Sequence, residues 1–428
     1  MALSRRRFLR EVLSASAALY LGCTEAEDGA DAQALEDQGE SPLDAGPDAE
    51  VSPDFGADFG TDFGADFGTD LGADAGTACA DGLAGATFEA VVPFVGDAVQ
   101  FHTPRNAGWD GRLYTDLSLV DRNRLLTPIP EFYIRTLFPD RLDLAAHLPW
   151  QIAVEGLDAP TQLTLDDLLP LARPMGAHVL ECSGNSRGAQ FGLLSATEWT
   201  GIPLEAVWAR LGRLPTDRVE LGGFDDHSVP SANNHSTPGA SWIFTLDQLR
   251  GAFLATGMGG APLTLDHGFP VRLIVPGWYG CTCIKWLNLI RFVDDAAPAT
   301  SQMVEFASRT HQTGVPALAR DYQPAALDQA AMPVRLERWR RGGQTLVRVV
   351  GILWGGSQVT TELSIRFGAD QPFVPVDVCP PMTGNALWTV FEHVWVPPGP
   401  GMATIRCAVA GVRTRRLDQG YYDRAVEL

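Results

Sequence analysis

An acidic, low-complexity tract at residues 24–81 limits where this 428-residue chain can fold. The tract holds 17 acidic residues and no Lys or Arg, and a four-residue Asp-Phe-Gly-Ala/Thr repeat continues to about Gly76. Such a composition buries too little apolar surface to offset the entropy lost on folding. We therefore predict an acidic low-complexity linker at 24–81 and a globular body within 82–428. A Ca²⁺-binding repeat is the alternative, because Asp and Gly recur.

Residues 1–23 resemble an export signal. Three consecutive arginines, Arg5 to Arg7, precede an apolar stretch at 12–21 that is too short to span a bilayer. The stretch leads into a Gly-Cys pair that resembles a lipoprotein cleavage box. We expect a twin-arginine/lipoprotein-type signal with Cys23 acylated, and a protein that is periplasmic or anchored to a membrane by lipid. Cleavage without lipidation, an uncleaved anchor and a buried N-terminal helix are the alternatives.

The formal net charge of −20 lies mostly outside the predicted globular body. Residues 82–428 carry a net charge of only −6 when the acidic linker and the basic first 23 residues are set aside. The sequence lacks the basic stripe that nucleic-acid binding requires. We therefore expect no nucleic-acid partner.

The first part of the body, residues 84–300, mixes two kinds of hydrophobic pattern. Helical spacing occurs at 164–169 and 204–211, and the apolar run 271–275 predicts a strand that ends at Pro-Gly. The mixture predicts an α+β domain.

The last part, residues 332–428, has a different pattern. Alternating or apolar strands are predicted at 346–351, 363–367 and 403–409, and Gly/Pro turns separate them. Short strands at regular spacing predict a β-sandwich.

Cys182 is distinguished by its setting in the sequence. It follows the apolar run 177–180 and begins the polar segment Cys-Ser-Gly-Asn-Ser-Arg at 182–187. A thiol at a rigid strand end can be presented to a metal or a substrate as a soft ligand. Nearby Arg187 is a fixed cation suited to an oxyanion. An ordinary buried cysteine is the alternative.

Segment 182–187 and four others occur in the order seen in the sulfite oxidase family of molybdopterin-dependent oxidoreductases, and the chain resembles a bacterial, exported member of it. The other segments read Thr-Pro-Ile-Pro-Glu-Phe-Tyr-Ile-Arg at 127–135, Glu-Trp-Thr-Gly-Ile-Pro-Leu at 198–204, Asp-His-Gly-Phe-Pro-Val-Arg at 266–272, and Pro-Gly-Trp-Tyr-Gly at 276–280 followed by Lys-Trp-Leu at 285–287. The resemblance implies an α+β fold with a sulfite-oxidase-type molybdopterin-binding catalytic domain at 82–320. An immunoglobulin-like β-sandwich of the dimerisation type would follow at 332–428, and whether the chain forms a homodimer stays open.

The resemblance also implies a molybdenum–molybdopterin cofactor and the residues that hold it. Cys182 matches the cysteine whose thiolate binds molybdenum. His267, Arg272 and Lys285 would clamp the phosphate and ring edges of the pterin, and Lys285 is the only lysine in the chain. Asp225 would bond the amine groups of the pterin, with a plain turn residue as the alternative.

Two arginines match those that line the substrate pocket of the family. Arg135 and Arg187 would bind a small oxyanion through paired guanidinium groups. Structural ion pairs are the alternative for both. The resemblance thus implies that Cys182, Arg135 and Arg187 form the catalytic group.

Four positions depart from the family pattern. Thr136 and Leu137 replace two pterin contacts, and Ser186 replaces an arginine. The stretch near Phe306 lacks the catalytic tyrosine of animal and plant members, and the next tyrosine is Tyr322. The departures weaken the case for sulfite as the substrate and leave the case for the cofactor unchanged.

The expected activity is two-electron oxo transfer on a small, sulfite-like oxyanion. Reduction of S- or N-oxides on the same cofactor is the first alternative, and a non-catalytic surface lipoprotein that keeps the fold is the second. The sequence has no Cys-x-x-Cys-His and no Gly-x-Gly-x-x-Gly after a strand, so neither haem nor NAD is expected. Electrons would therefore pass to an external carrier, a cytochrome or a quinone-linked protein.

The remaining cysteines allow two structural readings. Cys379 and Cys407 lie in predicted neighbouring strands and could form a disulfide in an oxidising compartment. A zinc site of His178, Cys182 and the pair at 281 and 283 is the weaker reading, because the spacings are not those of known zinc modules.

Overall fold

A computed structural model describes most of the chain after the linker. The described residues are 83–96, 99–138, 143–224, 240–356, 359, 362–376, 378, 384, 386–409 and 420–428. The predicted signal and linker, with Cys23 and the Ca²⁺-binding alternative, lie outside these residues, as do Asp225 and Cys379.

Within these ranges the chain forms twenty strands and three short α-helices. The helices are α1 (Leu165–Leu168), α2 (Leu204–Leu211) and α3 (Ser301–Phe306). The first thirteen strands are β1 (Thr87–Val92), β2 (Arg112–Leu113), β3 (Ile134–Arg135), β4 (Gln151–Glu155), β5 (Thr161–Thr164), β6 (Arg173–Glu181), β7 (Leu194–Pro203), β8 (Arg218–Gly223), β9 (Ser241–Thr245), β10 (Phe253–Met258), β11 (Ala261–Pro262), β12 (Arg272–Ile274) and β13 (Leu287–Val293). The last seven are β14 (Ala330–Arg341), β15 (Gln344–Trp354), β16 (Leu363–Arg366), β17 (Val374–Val376), β18 (Thr389–Trp395), β19 (Met402–Val409) and β20 (Arg424–Glu427).

A five-stranded antiparallel sheet positions Cys182. Its order is β11-β10-β7-β6, and β12 also pairs with β10. Strands β6 and β7 form a long hairpin with Glu181 opposite Leu194 at its closed end. The N–H of Cys182 donates to the carbonyl of Leu193 at 2.9 Å, so the loop begins from a fixed base.

A second five-stranded sheet has the order β5-β4-β13-β8-β9. Strands β4 and β13 run parallel, and the other neighbours are antiparallel. Alternate side chains of its central strands are fully buried, such as Ile152, Val154, Val219 and Leu221. This alternation is typical of strands that bury one face. Strand β13 begins two residues after Lys285 and so fixes the position of that lysine.

Two four-stranded antiparallel sheets form the C-terminal part. Their orders are β1-β14-β15-β18 and β17-β16-β19-β20. Buried side chains of both sheets belong to one hydrophobic core, with Leu336, Val349 and Phe391 on one side and Ile365 and Ile405 on the other. The sheets therefore pack face to face, as the sequence pattern predicted, while the immunoglobulin-like assignment stays a prediction.

The structure corrects two expectations. The predicted α+β class holds only in part, because the described residues are mostly sheet and the helices are short. The predicted domain boundaries also change, because β1 pairs with β14 and so belongs to the C-terminal sandwich. A strand's sheet partner depends on contacts distant in sequence, which local periodicity does not encode.

Several local expectations are confirmed. Helix α2 has the predicted bounds 204–211, and α1 begins after Thr164, whose hydroxyl accepts from the N–H of Asp167. Strands β15, β16 and β19 lie at the predicted positions. Among the described residues, no helix combines the length and apolarity needed to cross a membrane.

Cys407 is a buried free thiol in the core of the sandwich. Its suggested disulfide partner, Cys379, lies outside the described residues. The pairing therefore stays a prediction.

The substitution Gly351→Ala tests the packing of the sandwich. A Cβ at Gly351 would lie 2.1 Å from the ring of Phe391 and 2.7 Å from the carbonyl oxygen of Met332. Because the core is close-packed, we expect a loss of roughly 1–3 kcal/mol in the free energy of unfolding, measured by chemical denaturation. Gly399→Ala is the control, since its Cβ would meet nothing within 4 Å. Equal stability of the two variants would contradict the described packing.

Candidate functional site

One cleft brings together five of the seven residues that the sequence singled out. Its wall includes Arg135, Cys182, His267, Arg272 and Lys285. These residues come from four segments that are far apart in sequence and adjacent only in the fold. Arg187 is not part of the wall, and Asp225 lies outside the described residues.

Cys182 is buried at the floor of this cleft, with 6% of its surface exposed. Its carbonyl accepts the N–H of Asn185 at 2.9 Å, which starts a tight turn. Gly184 leaves space beside the thiol, because a Cβ there would lie 3.9 Å from Cys182 Sγ. The thiol is thus presented to the cleft by a strand end and a small turn residue.

Arg135 gives the cleft a half-buried positive charge. Strands β2 and β3 place it opposite Arg112. Burial and the neighbouring Arg112 guanidinium lower the pKa of Arg135 to about 10, while Cys182 acts in the opposite direction. A pKa of about 10 leaves Arg135 charged at neutral pH, so the cleft keeps a partly desolvated cation near the thiol.

The structure does not bear out the expectation that Arg187 lines the substrate pocket. Its side chain is exposed, and its guanidinium donates to the carbonyl of Asp423 at 3.0 Å. The physical reason is the turn at 187–189, which directs the chain toward the segment before β20.

Arg309 is an arginine near the thiol that sequence reasoning did not single out; it is exposed, lies outside the cleft wall and is 3.9 Å from Glu305 Oε1. A Cβ on Gly184 would lie 3.7 Å from Arg309 Nη1 and 3.9 Å from Cys182 Sγ, so both side chains approach one point. Arg309 stacks over Phe306, which lines the cleft, at 5.4 Å from the ring centre. A sequence signal was available, because Arg309 lies in the same stretch as Phe306, where members of the family carry a catalytic tyrosine.

His267 is a buried, uncharged wall residue. Its Nδ1 lies 2.7 Å from Thr264 Oγ1, and its Nε2 lies 3.3 Å from the carbonyl oxygen of Phe132. Burial, with Arg272 and Lys285 nearby, lowers the pKa of His267 to about 3. The imidazole is therefore neutral at physiological pH and serves as a hydrogen-bonding group.

Arg272 keeps one buried donor without a protein partner among the described residues. Its terminal nitrogens donate to the carbonyls of His267 at 3.0 Å and Cys283 at 3.1 Å. Its Nε is buried and has no hydrogen-bond partner. An orphaned buried N–H is costly in a folded protein, and a bound ligand would satisfy it.

Lys285 ties the segment after β3 to the wall. Its ammonium donates to the carbonyl of Asp266 at 2.9 Å, to that of Arg135 at 3.3 Å and to that of Thr136. It also lies 4.5 Å from the ring centre of Trp286. The lysine thus organises the backbone that carries Arg135, and its predicted phosphate contact stays a prediction.

Tyr133 contributes a phenol that the sequence did not single out. It lines the cleft, and burial, reinforced by Cys182, raises the pKa of Tyr133 well above its usual value. Gly280 makes room for it, since a Cβ there would lie 2.7 Å from the hydroxyl. The phenol therefore stays protonated at any physiological pH.

The departures from the family pattern have different structural meanings. Leu137 is a core residue that packs with Leu113 and Ile134. Thr136 lines the cleft, as Phe306 does. Tyr322 is buried elsewhere, near Trp242, and so does not take the place of the missing tyrosine.

The proposed zinc grouping is not assembled. Cys281 and Cys283 line the cleft, but His178 bonds the carbonyl oxygen of Met175 at 2.8 Å. Among the described residues, no group of three or more His, Cys, Asp or Glu could hold a metal ion. A metal at Cys182 would need further ligands from a bound group.

The cleft fits a molybdopterin. One thiol is offered as the protein's own metal ligand, which suits a metal whose other sulfurs come from the cofactor. Half-buried Arg135 and buried Arg272 supply positive charge for an anionic group, and the Nε of Arg272, which lacks a partner among the described residues, could donate to an acceptor on that group.

Comparisons with known proteins agree with this fit. The model of the oxidoreductase molybdopterin binding domain matches residues 140–301. A nitrate reductase (NADH) of Solanum lycopersicum is 32% identical over 191 residues, which cover 41% of this chain and 21% of that protein. Mitochondrial sulfite oxidase of Homo sapiens is 27% identical over 279 residues, covering 58% of this chain and 50% of that protein. The chain thus spans half or less of these relatives.

The crystal structure of the sulfane dehydrogenase SoxCD from Paracoccus pantotrophus has a similar fold. Its TM-score is 0.53 at 18% identity, and the match covers 78% of this chain and 86% of that chain. Fold and matching domain together define a molybdopterin-binding oxidoreductase. The chain carries this domain at residues 140–301 and is similar to members of the sulfite oxidase family.

The buried neutral His267 predicts an acid-sensitive fold. Because its folded pKa of about 3 lies below the unfolded value of 6.5, its contribution to stability is present above pH 6.5 and is lost as pH falls toward 3. The loss is about 1.4 kcal/mol per pH unit across that window. We expect His267→Gln to remove this component from the pH dependence of the free energy of unfolding.

Chemical denaturation from pH 7 to pH 4 measures the effect. His147→Gln, which changes an exposed imidazole, is the control and should keep the wild-type slope. Identical slopes for wild type and His267→Gln would contradict a buried neutral imidazole.

Proposed function

We propose that the protein is a molybdopterin-dependent oxidoreductase that transfers one oxygen atom in a two-electron step on a small, sulfite-like oxyanion. A separate carrier, a cytochrome or a quinone-linked protein, would take the electrons. The observation that carries the proposal is the cleft that Cys182 lines together with Arg135 and the three cofactor-side residues His267, Arg272 and Lys285.

The cofactor side of the cleft is formed by His267, Arg272 and Lys285. Neutral His267 and the free Nε of Arg272 would hydrogen-bond the pterin, and the two cations would balance its phosphate. Cys182 would supply the protein's thiolate to the metal. When bound, the cofactor supplies a metal centre that exchanges one oxo group and two electrons.

The substrate side is formed by two guanidinium groups. Arg135 is charged at neutral pH and partly desolvated, so its attraction to an oxyanion is stronger than that of an exposed arginine. Arg309 is exposed and is not part of the cleft wall, but its guanidinium approaches Gly184 beside the thiol, so it would be the second cation to contact the oxyanion. Phe306 closes the wall and would limit the size of the substrate.

A second candidate is the reverse chemistry, the reduction of an N- or S-oxide on the same cofactor. The relatives of higher local identity are named nitrate reductases, which supports this direction. A non-catalytic role is disfavoured, because the predicted metal ligand and the cofactor cations remain in one cleft. We also propose export through residues 1–23 with acylation at Cys23, which mass spectrometry of the mature N-terminus would test.

Metal analysis of the full chain from a cofactor-competent host tests the function. We expect about one molybdenum per chain, and turnover of sulfite with an artificial electron acceptor. Turnover of nitrate or an S-oxide with a reduced dye, and none of sulfite, would select the second candidate. A folded protein without molybdenum would contradict both candidate functions.

Cys182→Ser should lose activity by orders of magnitude, because a hydroxyl is a harder and weaker ligand for molybdenum. Circular dichroism should stay unchanged, since the serine side chain is of similar size. Cys407→Ser, in the distant sandwich core, is the control for loss of a buried thiol. Wild-type turnover in Cys182→Ser would refute the thiolate assignment.

Arg309→Met and Arg187→Met separate the two candidate arginines. Loss of one charge-assisted hydrogen bond costs about 1.5–3 kcal/mol, so KM for the oxyanion should rise roughly 10- to 100-fold in Arg309→Met. Arg187→Met should leave KM near wild type, because its guanidinium faces Asp423 outside the cleft. A larger rise in KM for Arg187→Met than for Arg309→Met in steady-state kinetics would indicate that Arg187, and not Arg309, contacts the substrate.

A further inference from the structure

A buried carboxylate lies directly before the proposed metal ligand. Glu181 is the last residue of β6 and is 1% exposed. Its Oε1 accepts from Tyr422 Oη at 3.0 Å and from Asn185 Nδ2 at 3.3 Å, and its Oε2 accepts from Trp354 Nε1 at 3.0 Å. A buried carboxylate is tolerated only when such donors replace water.

Two of these donors belong to the C-terminal sandwich. Trp354 ends β15, and Tyr422 lies two residues before β20. The two rings also pack edge to face, with centres 5.1 Å apart. The carboxylate of Glu181 therefore joins the hairpin that carries Cys182 to both sheets of the sandwich.

The same sandwich segment contacts the rest of the cysteine loop. Tyr421 Oη donates to the carbonyl of Asn185, and Arg187 donates to the carbonyl of Asp423 at 3.0 Å. Asn185 in turn accepts the N–H of Leu193 through Oδ1 at 3.1 Å. Residues 181–187 are thus held at several points by residues 421–423.

We propose that Glu181 is a positioning residue through which the sandwich fixes the Cys182 loop for metal binding. The side chains of neighbouring strand residues point to opposite faces, so fixing Glu181 on the sandwich side sets the direction of Cys182 on the cleft side. The inference rests on the proposed role of Cys182 as the molybdenum ligand. The sandwich would then have a function within a single chain, whether or not the protein dimerises.

The contacts also explain why Arg187 leaves the substrate pocket. Its bond to Asp423 places it on the sandwich side of the loop, together with the Glu181 contacts. The arginine of the motif thus binds the loop to the sandwich segment and lies outside the cleft wall.

Glu181→Gln in the full-chain holoenzyme tests the proposal. Glutamine keeps the shape but replaces one acceptor with a donor, so the hydrogen bond from Trp354 Nε1 or the one from Asn185 Nδ2 is lost. The thiolate-to-molybdenum charge-transfer absorption of the oxidised holoenzyme should shift. Molybdenum loss during dialysis should be at least about tenfold faster, and hydrogen exchange should increase in residues 182–193.

Tyr422→Phe is the second variant, and it decides the question if Glu181→Gln does not fold. It removes only one hydroxyl and should move the same three readouts in the same direction. Glu337→Gln is the matched control for a buried carboxylate, since Glu337 bonds Arg335 and Arg348 within the sandwich. Tyr322→Phe is the control for a buried hydroxyl without a partner in the described structure.

The outcomes separate this inference from the proposed function. A shifted band and faster metal loss in Glu181→Gln and Tyr422→Phe, with both controls at wild-type values, support it. Controls that lose the band and the metal equally would show general destabilisation and overturn it. If the wild-type protein holds molybdenum but Cys182→Ser shows the same charge-transfer absorption, Cys182 is not the metal ligand. The present inference, which rests on that assignment, would then be wrong as well.

Discussion

The carboxylate of Glu181 is a buried polar group through which the two halves of the folded body are joined directly beside Cys182. Other bonds between the halves, such as the one from Trp388 Nε1 to the carbonyl of Leu125, lie away from the cysteine loop. The hairpin supplies the carboxylate oxygens of Glu181, and the sandwich supplies the Trp354 and Tyr422 donors. Burying either group without the other would remove its hydrogen bonds to water and put nothing in their place, which costs free energy. The location of Cys182 follows from this constraint, since it is the next residue in the chain.

The cleft beyond Cys182 is organised by positive charge and by backbone carbonyls that limit where that charge can lie. Lys285 and Arg272 use most of their described contacts to bind carbonyls of the wall. Their charge is therefore fixed before any ligand arrives, which spares the reorganisation that flexible surface cations would require. Neutral His267 sits among these cations, and their proximity is one reason why it stays unprotonated.

Prediction from the sequence succeeded where a residue's role depends on its neighbours in the chain. The strand end at Cys182, the cap at Thr164 and the strand positions of the sandwich follow from local periodicity. It placed Arg187 in the substrate pocket, whereas the structure places that side chain outside the cleft wall, and it did not single out Tyr133 or Glu181. In each case the side chain's position depends on a contact between segments more than a hundred residues apart, which local sequence patterns do not encode.

The sequence by itself determined the class of the domain and singled out Cys182 and most of the cations that share its cleft, because ordered motifs carry those residue types at fixed spacing. Only the tertiary structure decided that Arg135 lines the cleft while Arg187 lies outside it, to which sheet β1 belongs and how the sandwich holds the cysteine loop. The physical reason is that side-chain direction and sheet pairing depend on the burial of groups that are distant in sequence.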